Sequence, residues 1–368
     1  MKCGKKILNG KFGMIDLLKK TYSGKKIFLT GHTGFKGSWL LMIFEYLGAE
    51  VCAYALPAAD QPSFFDMIQG ANRCQHIIGD IRDKVKLSKA ILNFQPDFVF
   101  HLAAQALVRT SYINPIETYE TNVLGTAHVL DALRNLEKLC NTIIVTTDKV
   151  YENNELGFPY KETDALGGYD PYSSSKACAE IVCSSYRRSF FHPEKYKLHQ
   201  KGIASARAGN VIGGGDWNKD RIIPDFIRAL TNQVPLEIRS PESVRPWQHV
   251  LEPLAGYLCL GARLAEDPQK YSKAYNFGPY PEDDLKVIDL VKLAIGHWGS
   301  GSFIDASNPN APHEAKLLTL DIQLAVKELG WKPQLNAEQS IALTLNWYKN
   351  YLDDPAGLTL AQIKSYFQ

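Results

Sequence analysis

The sequence lacks three things: a Cys-x-x-Cys pair, a tract of about 20 apolar residues, and an excess of either charge sign. Its seven cysteines, an odd number scattered from Cys3 to Cys259, do not form a disulfide framework and give a structural zinc site no local spacing to build on. Reduced thiols in a cytosol, and no bound metal, are the expectation. The most apolar stretch, Trp39 to Leu56, is interrupted by Glu45, Gly48 and Glu50, so no membrane span is expected. Met1 to Lys20 scatters Lys5, Lys6, Lys11, Lys19 and Lys20 among short apolar groups, a pattern without a secretory h-region. With 41 Lys plus Arg against 39 Asp plus Glu, the net charge of +2 supplies no broad basic field for nucleic acid or acidic membranes. Repeats and low-complexity tracts are missing too. What remains is a chain of 368 residues, 45% hydrophobic and 22% charged, which is an ordinary globular balance. At about 150 residues per domain this length corresponds to two domains, or to one domain with an appended lobe.

Residues 26 to 30 read as a short buried strand, followed by a glycine cluster and an apolar run, Ser38 to Leu47, of helical length. Val51 to Leu56, Cys74 to Ile78 and Pro96 to Leu102 are further strands, with a helix at Lys86 to Asn93. A long helix is expected over Ile116 to Leu136 and a β-branched strand over Thr142 to Thr147. This alternation predicts an α/β fold, a Rossmann-type doubly wound parallel sheet with a smaller C-terminal substrate-binding lobe. Near residue 207 the βα rhythm gives way to dense Gly and Pro until a helix at Lys286 to His297. We therefore divide the chain into an extension, 1–24; a dinucleotide-binding domain with the catalytic residues, 25–206; and a mainly substrate-binding lobe, 207–368. Segments around 245–280 are candidates to return to the nucleotide domain.

Gly31, Gly34 and Gly37 stand at G-x-x-G-x-x-G spacing between strand and helix, where glycine lets the backbone approach a pyrophosphate at a helix N-terminus. Lys36-Gly37-Ser38 reverses the order a mononucleotide P-loop needs, so the cradle suits a dinucleotide. The usual acidic selector after the second strand is missing, because Tyr54-Ala55-Leu56-Pro57 stands there and the nearest acid, Asp60, lies beyond it. His32 and Lys36 could instead tolerate a 2′-phosphate, which leaves NADP open beside NAD. Asp80, in Gly79-Asp80-Ile81, is either an adenine contact or a plain turn residue. Tyr172 and Lys176 lie at i and i+4 on one helix face. Tyr22 and Lys26 repeat that spacing but precede the nucleotide fold. Beside a nicotinamide, the Lys176 charge is expected to lower the Tyr172 pKa and make the phenol a usable base. Thr147, Asp148 and Lys149 fall at the end of a strand, where open α/β sheets place their chemistry.

Together these elements resemble the extended short-chain dehydrogenase/reductase superfamily. The stretches Thr30 to Leu40, His101-Leu-Ala-Ala-Gln105, Thr147-Asp-Lys149, Gly167 to Lys176, Arg207 to Trp217 and Arg245 to Val250 are similar to its CDP-glucose 4,6-dehydratase branch. Related dehydratases of that superfamily carry Asp-Glu in place of Asp148-Lys149. The resemblance covers about residues 25 to 350. It implies cofactor contacts from Gly31, His32, Gly34, Phe35, Lys36, Gly37, Asp80, Ile81, Ala103, Ala104, Gln105, Tyr172 and Lys176. It also implies a CDP-glucose site with Arg109, Asn210, Arg221, Arg245 and His313, and a homodimer or homotetramer meeting through the helices near Ile116 to Leu136 and Tyr172 to Arg188.

The implied chemistry is oxidation at C4, elimination of water across C5 and C6, and reduction at C6. Tyr172 would take the 4-hydroxyl proton, with Thr147 on the C4 oxygen and Lys176 on the nicotinamide ribose. Lys149, in its neutral form, would take the C5 proton and Asp148 would protonate the departing 6-hydroxyl. A sugar-nucleotide 4-epimerase would share the fold and the Tyr/Lys pair but needs no Asp-Lys pair. A noncatalytic dinucleotide-binding module would need neither.

Overall fold

The computed structural model describes residues 13–59, 62–153, 157–307 and 318–368. Seven strands form the central sheet: β1 (Lys26–Thr30), β2 (Glu50–Ala55), β3 (Gln75–Ile78), β4 (Phe98–His101), β5 (Cys140–Val145), β6 (Lys201–Ala208) and β7 (Ala274–Phe277). Their order is β7-β6-β5-β4-β1-β2-β3, every neighbouring pair is parallel, and the order reverses between β1 and β4. That reversal opens a crevice beyond the strand C-termini, the place where doubly wound sheets bind ligands. All residues of β4, β5 and β6 are buried, as expected of parallel strands covered on both faces. The expected doubly wound α/β class is thus borne out.

The principal helices are α1 (Met14–Tyr22), α2 (Phe35–Leu47), α3 (Lys84–Phe94), α4 (Gly125–Arg134), α5 (Pro171–Ser189) and α6 (Leu251–Glu266). Apolar nearly all round, α2 packs between the sheet and the helix Pro355–Phe367. It starts at Phe35, three residues before the expected Ser38, because Gly37 joins its first turn. A Cβ there would stand 2.1 Å from the Gly31 carbonyl oxygen, so only glycine lets helix and loop meet.

The helix expected over Ile116 to Leu136 runs from Pro115 to Arg134 but carries a π turn at Glu120–Leu124. Within that turn Asn122 donates to the Gln105 carbonyl at 3.0 Å and to Ser175 Oγ at 2.8 Å, so the irregularity ties the β4 loop to α5. The strand expected to reach Thr147 ends at Val145. Thr146 makes one more backbone bond, to Ala206, and Asp148–Val150 then close a short 3-10 turn.

Residues 14–22 form α1, whose Leu18 and Tyr22 are buried, and the Tyr22 hydroxyl donates to the Leu258 carbonyl of α6 at 2.7 Å. The second Tyr/Lys pair therefore serves packing. Beyond residue 207, α6 lies against β5 and β6, and β7 extends the central sheet beside β6. Short pairs such as Val211–Ile212 with Gln248–His249 and Val244–Arg245 with Leu285–Lys286 build the remainder. The run Gly213-Gly214-Gly215 is there for packing: a Cβ at Gly214 would lie 2.0 Å from the Trp347 ring.

Candidate active site

The loops after β1, β4, β5 and β6 converge at the crevice. In the β1 loop, a Cβ at Gly31 would lie 2.7 Å from the Ala103 nitrogen, so this loop touches the one leaving β4. Ala103 N–H donates to Thr30 Oγ1 at 3.2 Å, with Ala104 next in the chain. The Gln105 amide donates to Leu107 O and Thr118 Oγ1, which makes that side chain a brace within its own loop. Gly34 caps α2 without a side chain, and the first turn holds no acid. The orphan N–H groups and the helix dipole are thereby left for an anion. Close-set glycines and an uncapped helix start fit a dinucleotide such as NAD. Phe35 is buried, and Ile81 buries its side chain against Gly125 of α4. Asp80 is bound by Arg82 at 2.6 Å, and that hydrogen bond holds its carboxyl below the usual carboxylate range.

The structure corrects the expectation that His32 and Lys36 could take a 2′-phosphate. His32 is fully buried, its Nε2 2.7 Å from His76 Nδ1, and burial followed by the His76 ring brings its pKa down to about 3. Lys36 belongs to the opposite end of the crevice, within electrostatic reach of Arg221, Asp148, Lys176 and Asp216. Asp60 lies outside the described residues.

At that opposite end, Thr147 Oγ1 donates to Asp148 Oδ1 at 2.8 Å and accepts from the Lys149 N–H at 3.4 Å. Burial pushes the Asp148 carboxyl up, against the opposing pull of Lys149, Thr147, Lys36 and Arg245. A Cβ at Gly209 would sit 2.5 Å from Asp148 Oδ2, so the backbone after β6 closes directly over this acid. Asp170 caps α5 by accepting from the Ser173 N–H at 2.9 Å, and Pro171 occupies the first turn, which sets Tyr172 at the start of the helix. Lys176, one turn on, is buried and donates to the Val145 carbonyl at 2.9 Å, and burial lowers its pKa to about 8. Thr147 acts on the Tyr172 phenol in the direction that lowers its pKa, yet burial raises it to about 12. Without a nicotinamide beside it, desolvation prevails at the phenol, and the Lys176 ammonium is turned to a backbone carbonyl; the expected lowering rests on that ammonium together with an oxidised nicotinamide. Lys36, lowered to about 7 by burial and then by Arg221, completes the group.

Among the residues named from sequence for substrate, Arg221 pairs with the buried Asp216 at 3.4 Å and Arg245 acts on Asp148. Asn210 lies between β6 and Val211–Ile212, near Gly209. Arg109 is exposed and pairs with Asp220 at 3.3 Å. His313 falls outside the described residues.

Sequence reasoning missed the support beneath the site. Glu180 accepts from Thr146 Oγ1 at 2.6 Å and Ser205 Oγ at 2.7 Å and pairs with Arg207 at 3.1 Å, all buried, locking α5 onto β5 and β6. Burial opposes its charge, but Arg207 and the two hydroxyls hold its carboxyl below the usual range. A Glu four residues after Lys176 on one helix face was the available signal. The site thus sets a carboxyl whose pKa is raised by burial, an amine and a phenol side by side, the groups that an elimination coupled to alcohol oxidation requires.

Residues 28–257, more than half of the chain, match the family described as GDP-mannose 4,6 dehydratase. A CDP-glucose 4,6-dehydratase of Salmonella typhimurium is 47% identical over 339 residues, covering 92% of this chain and 94% of that one. The chain belongs to the nucleotide-sugar 4,6-dehydratase family. Among solved structures, a dTDP-glucose 4,6-dehydratase of Streptomyces venezuelae with NAD bound has a TM-score of 0.75 at 23% identity and covers 88% of this chain and 97% of its own. A UDP-glucose 4-epimerase of Thermotoga maritima scores the same 0.75 at 22% identity, covering 89% and 100%. These equal scores concern the fold. Separating the 4,6-dehydratase family from its epimerase neighbours falls to the side chains after β5.

Proposed function

We propose that the chain converts CDP-glucose to CDP-4-keto-6-deoxyglucose within one site, as an NAD-dependent hydro-lyase. The observation that carries this reading is Asp148, buried next to Lys149, bonded to Thr147 and held toward its protonated form a few residues beyond β5. A 4-epimerase has no elimination step for such an acid to serve. The Salmonella typhimurium relative supports CDP as the nucleotide.

NAD held by the Gly31, Gly34 and Gly37 loop at the start of α2 would supply the hydride acceptor for C4 and, once reduced, the hydride donor for C6. Tyr172 takes the 4-hydroxyl proton and Thr147 steadies the C4 oxygen, a division supported by the action of Thr147 on the phenol. Lys176 would hold the nicotinamide ribose from its place beside the Val145 carbonyl. The C4 ketone acidifies the C5 hydrogen. Lys149, as the free amine, removes it, and Asp148 delivers its proton to the 6-hydroxyl, which leaves as water. Arg245, with Asn210, is assigned to the diphosphate, supported by the reach of Arg245 to Asp148, and Arg221, which acts on Lys36, is assigned near the nucleotide. Arg109 and His313 are assigned to the nucleotide.

We assign the chain to a homodimer or homotetramer in a reducing cytosol. Supporting the oligomer, Ile116, Leu124 and Ile181 are 69%, 51% and 56% exposed on the helices expected to pair. Supporting the compartment, six described cysteines are free thiols, and among the described residues no helix is long and apolar enough to cross a membrane. The test is a panel of CDP-, dTDP-, UDP- and GDP-glucose, read by the alkaline absorbance of a 4-keto-6-deoxy product. CDP-glucose should react at least about tenfold better than the others, a discrimination of about 1.4 kcal/mol. Preferential turnover of another nucleotide would overturn the substrate, and an epimerised sugar would overturn the reaction.

A further inference from the structure

We propose that His32, Cys74 and His76 form a Zn²⁺ site behind the cofactor loop. The ligand atoms of the three side chains all lie within 4.8 Å of one another, with His32 Nε2 2.7 Å from His76 Nδ1. Cys74 and His76, two residues apart at the head of β3, project from one face of the strand. His32 reaches them from the loop after β1. The expectation of no metal rested on local spacing, and the site is assembled across two strand ends that the sequence keeps apart.

Two imidazoles and a thiol make a borderline-to-soft donor set, suited to Zn²⁺ and unsuited to the all-oxygen preferences of Mg²⁺ or Ca²⁺. With Zn–N bonds of about 2.0–2.1 Å, a tetrahedral centre separates two ring nitrogens by about 3.3 Å, so the rings need to part by roughly 0.6 Å. His32 Nδ1 is buried without a hydrogen-bond partner of good geometry, while the Tyr54 carbonyl acts on that ring. A metal-bound histidine commonly turns its other N–H to such a carbonyl. The Phe65 ring, 5.1 Å from His32 and 5.2 Å from His76, walls the inner side. Cys74 and His76 are half-buried and give access from solvent, which also supplies the fourth ligand as water. On binding, the Cys74 thiol releases its proton to solvent and leaves the Gly70 carbonyl, 3.5 Å away, as the Zn–S bond forms. No electron is transferred. The ion would clamp the loop carrying Gly31 and Gly34 to the head of β3.

Chelator-treated full-length protein titrated with Co²⁺ tests the site. One equivalent should produce thiolate-to-cobalt charge-transfer absorption and tetrahedral d–d bands, and Zn²⁺ should displace both. Cys74→Ser should abolish the charge-transfer band and weaken binding by roughly 100-fold, and His76→Gln by at least about tenfold, with Cys178→Ser titrating as wild type. Should Cys74→Ser fail to fold, alkylation of wild type read by mass spectrometry replaces it, with Zn²⁺ protecting Cys74. Wild-type protein without the charge-transfer band, Cys74→Ser binding like wild type, or Cys74 alkylated at the same rate with Zn²⁺ present would each reduce the cluster to a hydrogen-bonded histidine pair.

Discussion

The two ends of the crevice hold their polar groups differently. At the β2–β3 end Asp80 is paired with Arg82, His32 with His76, and Thr33 Oγ1 with the Leu56 carbonyl at 2.9 Å. At the β5–β6 end the pKa values of Lys36, Asp148, Tyr172 and Lys176 are each shifted in the direction that burial dictates. At the β2–β3 end most of these polar groups are already paired with one another, with His32 Nδ1 the exception. A surface that moves protons shifts its acids up and its amines down by withholding water, and displaced acids and amines grouped this closely mark a candidate reaction centre.

The largest effect expected from this contrast is that of Tyr172→Phe, which should cut turnover by roughly 10²–10⁴ while CDP-glucose still binds, measured by single-turnover kinetics and calorimetry. Gly209→Ala comes next. Its Cβ would press on Asp148, so turnover should fall by roughly 10² with little change in melting temperature, whereas unchanged turnover would remove Asp148 from the chemistry.

Lys36 sharpens the comparison through pH. Its folded pKa near 7 lies below the ordinary 10.5, so between those values the unfolded chain keeps a proton that the folded chain has lost. Stability of the cofactor-free protein should therefore rise with pH across that window, and urea melts of Lys36→Met should lose the lower part of the rise. The contribution of Lys176, starting near pH 8, would remain. The smallest effect should be that of Asp80→Asn. This group is partly exposed and paired only with the neighbouring Arg82, so the change should cost at most about 1 kcal/mol in stability and leave turnover within about threefold. A loss as large as that of Tyr172→Phe would break the contrast between the two ends.

What could be read from the sequence was local. Strands β1 to β5 announced themselves because buried parallel strands read as continuous apolar runs, as in Phe98-Val99-Phe100. β6 did not, since Lys201 and Arg207 interrupt small residues and are tolerated only through partners elsewhere, the Lys138 carbonyl and Glu180. The π turn at Glu120–Leu124 has no sequence period of its own and exists to aim Asn122. Thr147, Asp148, Lys149, Tyr172 and Lys176 were found because each lies in a short contiguous motif. Lys36 was read at the wrong end because its direction depends on which way a long side chain leaves α2. The His32, Cys74 and His76 cluster was invisible because no spacing rule links the loop after β1 to the head of β3.

The central claim is that one site oxidises C4, eliminates water and reduces C6 with the same cofactor. CDP-glucose carrying deuterium at C4, turned over in the presence of excess unlabelled NADH, tests this most directly. The account predicts product with that deuterium at C6 and no dilution from the added NADH. Recovery of the label at C4 of an epimerised sugar, or its release into free NADH, would contradict it.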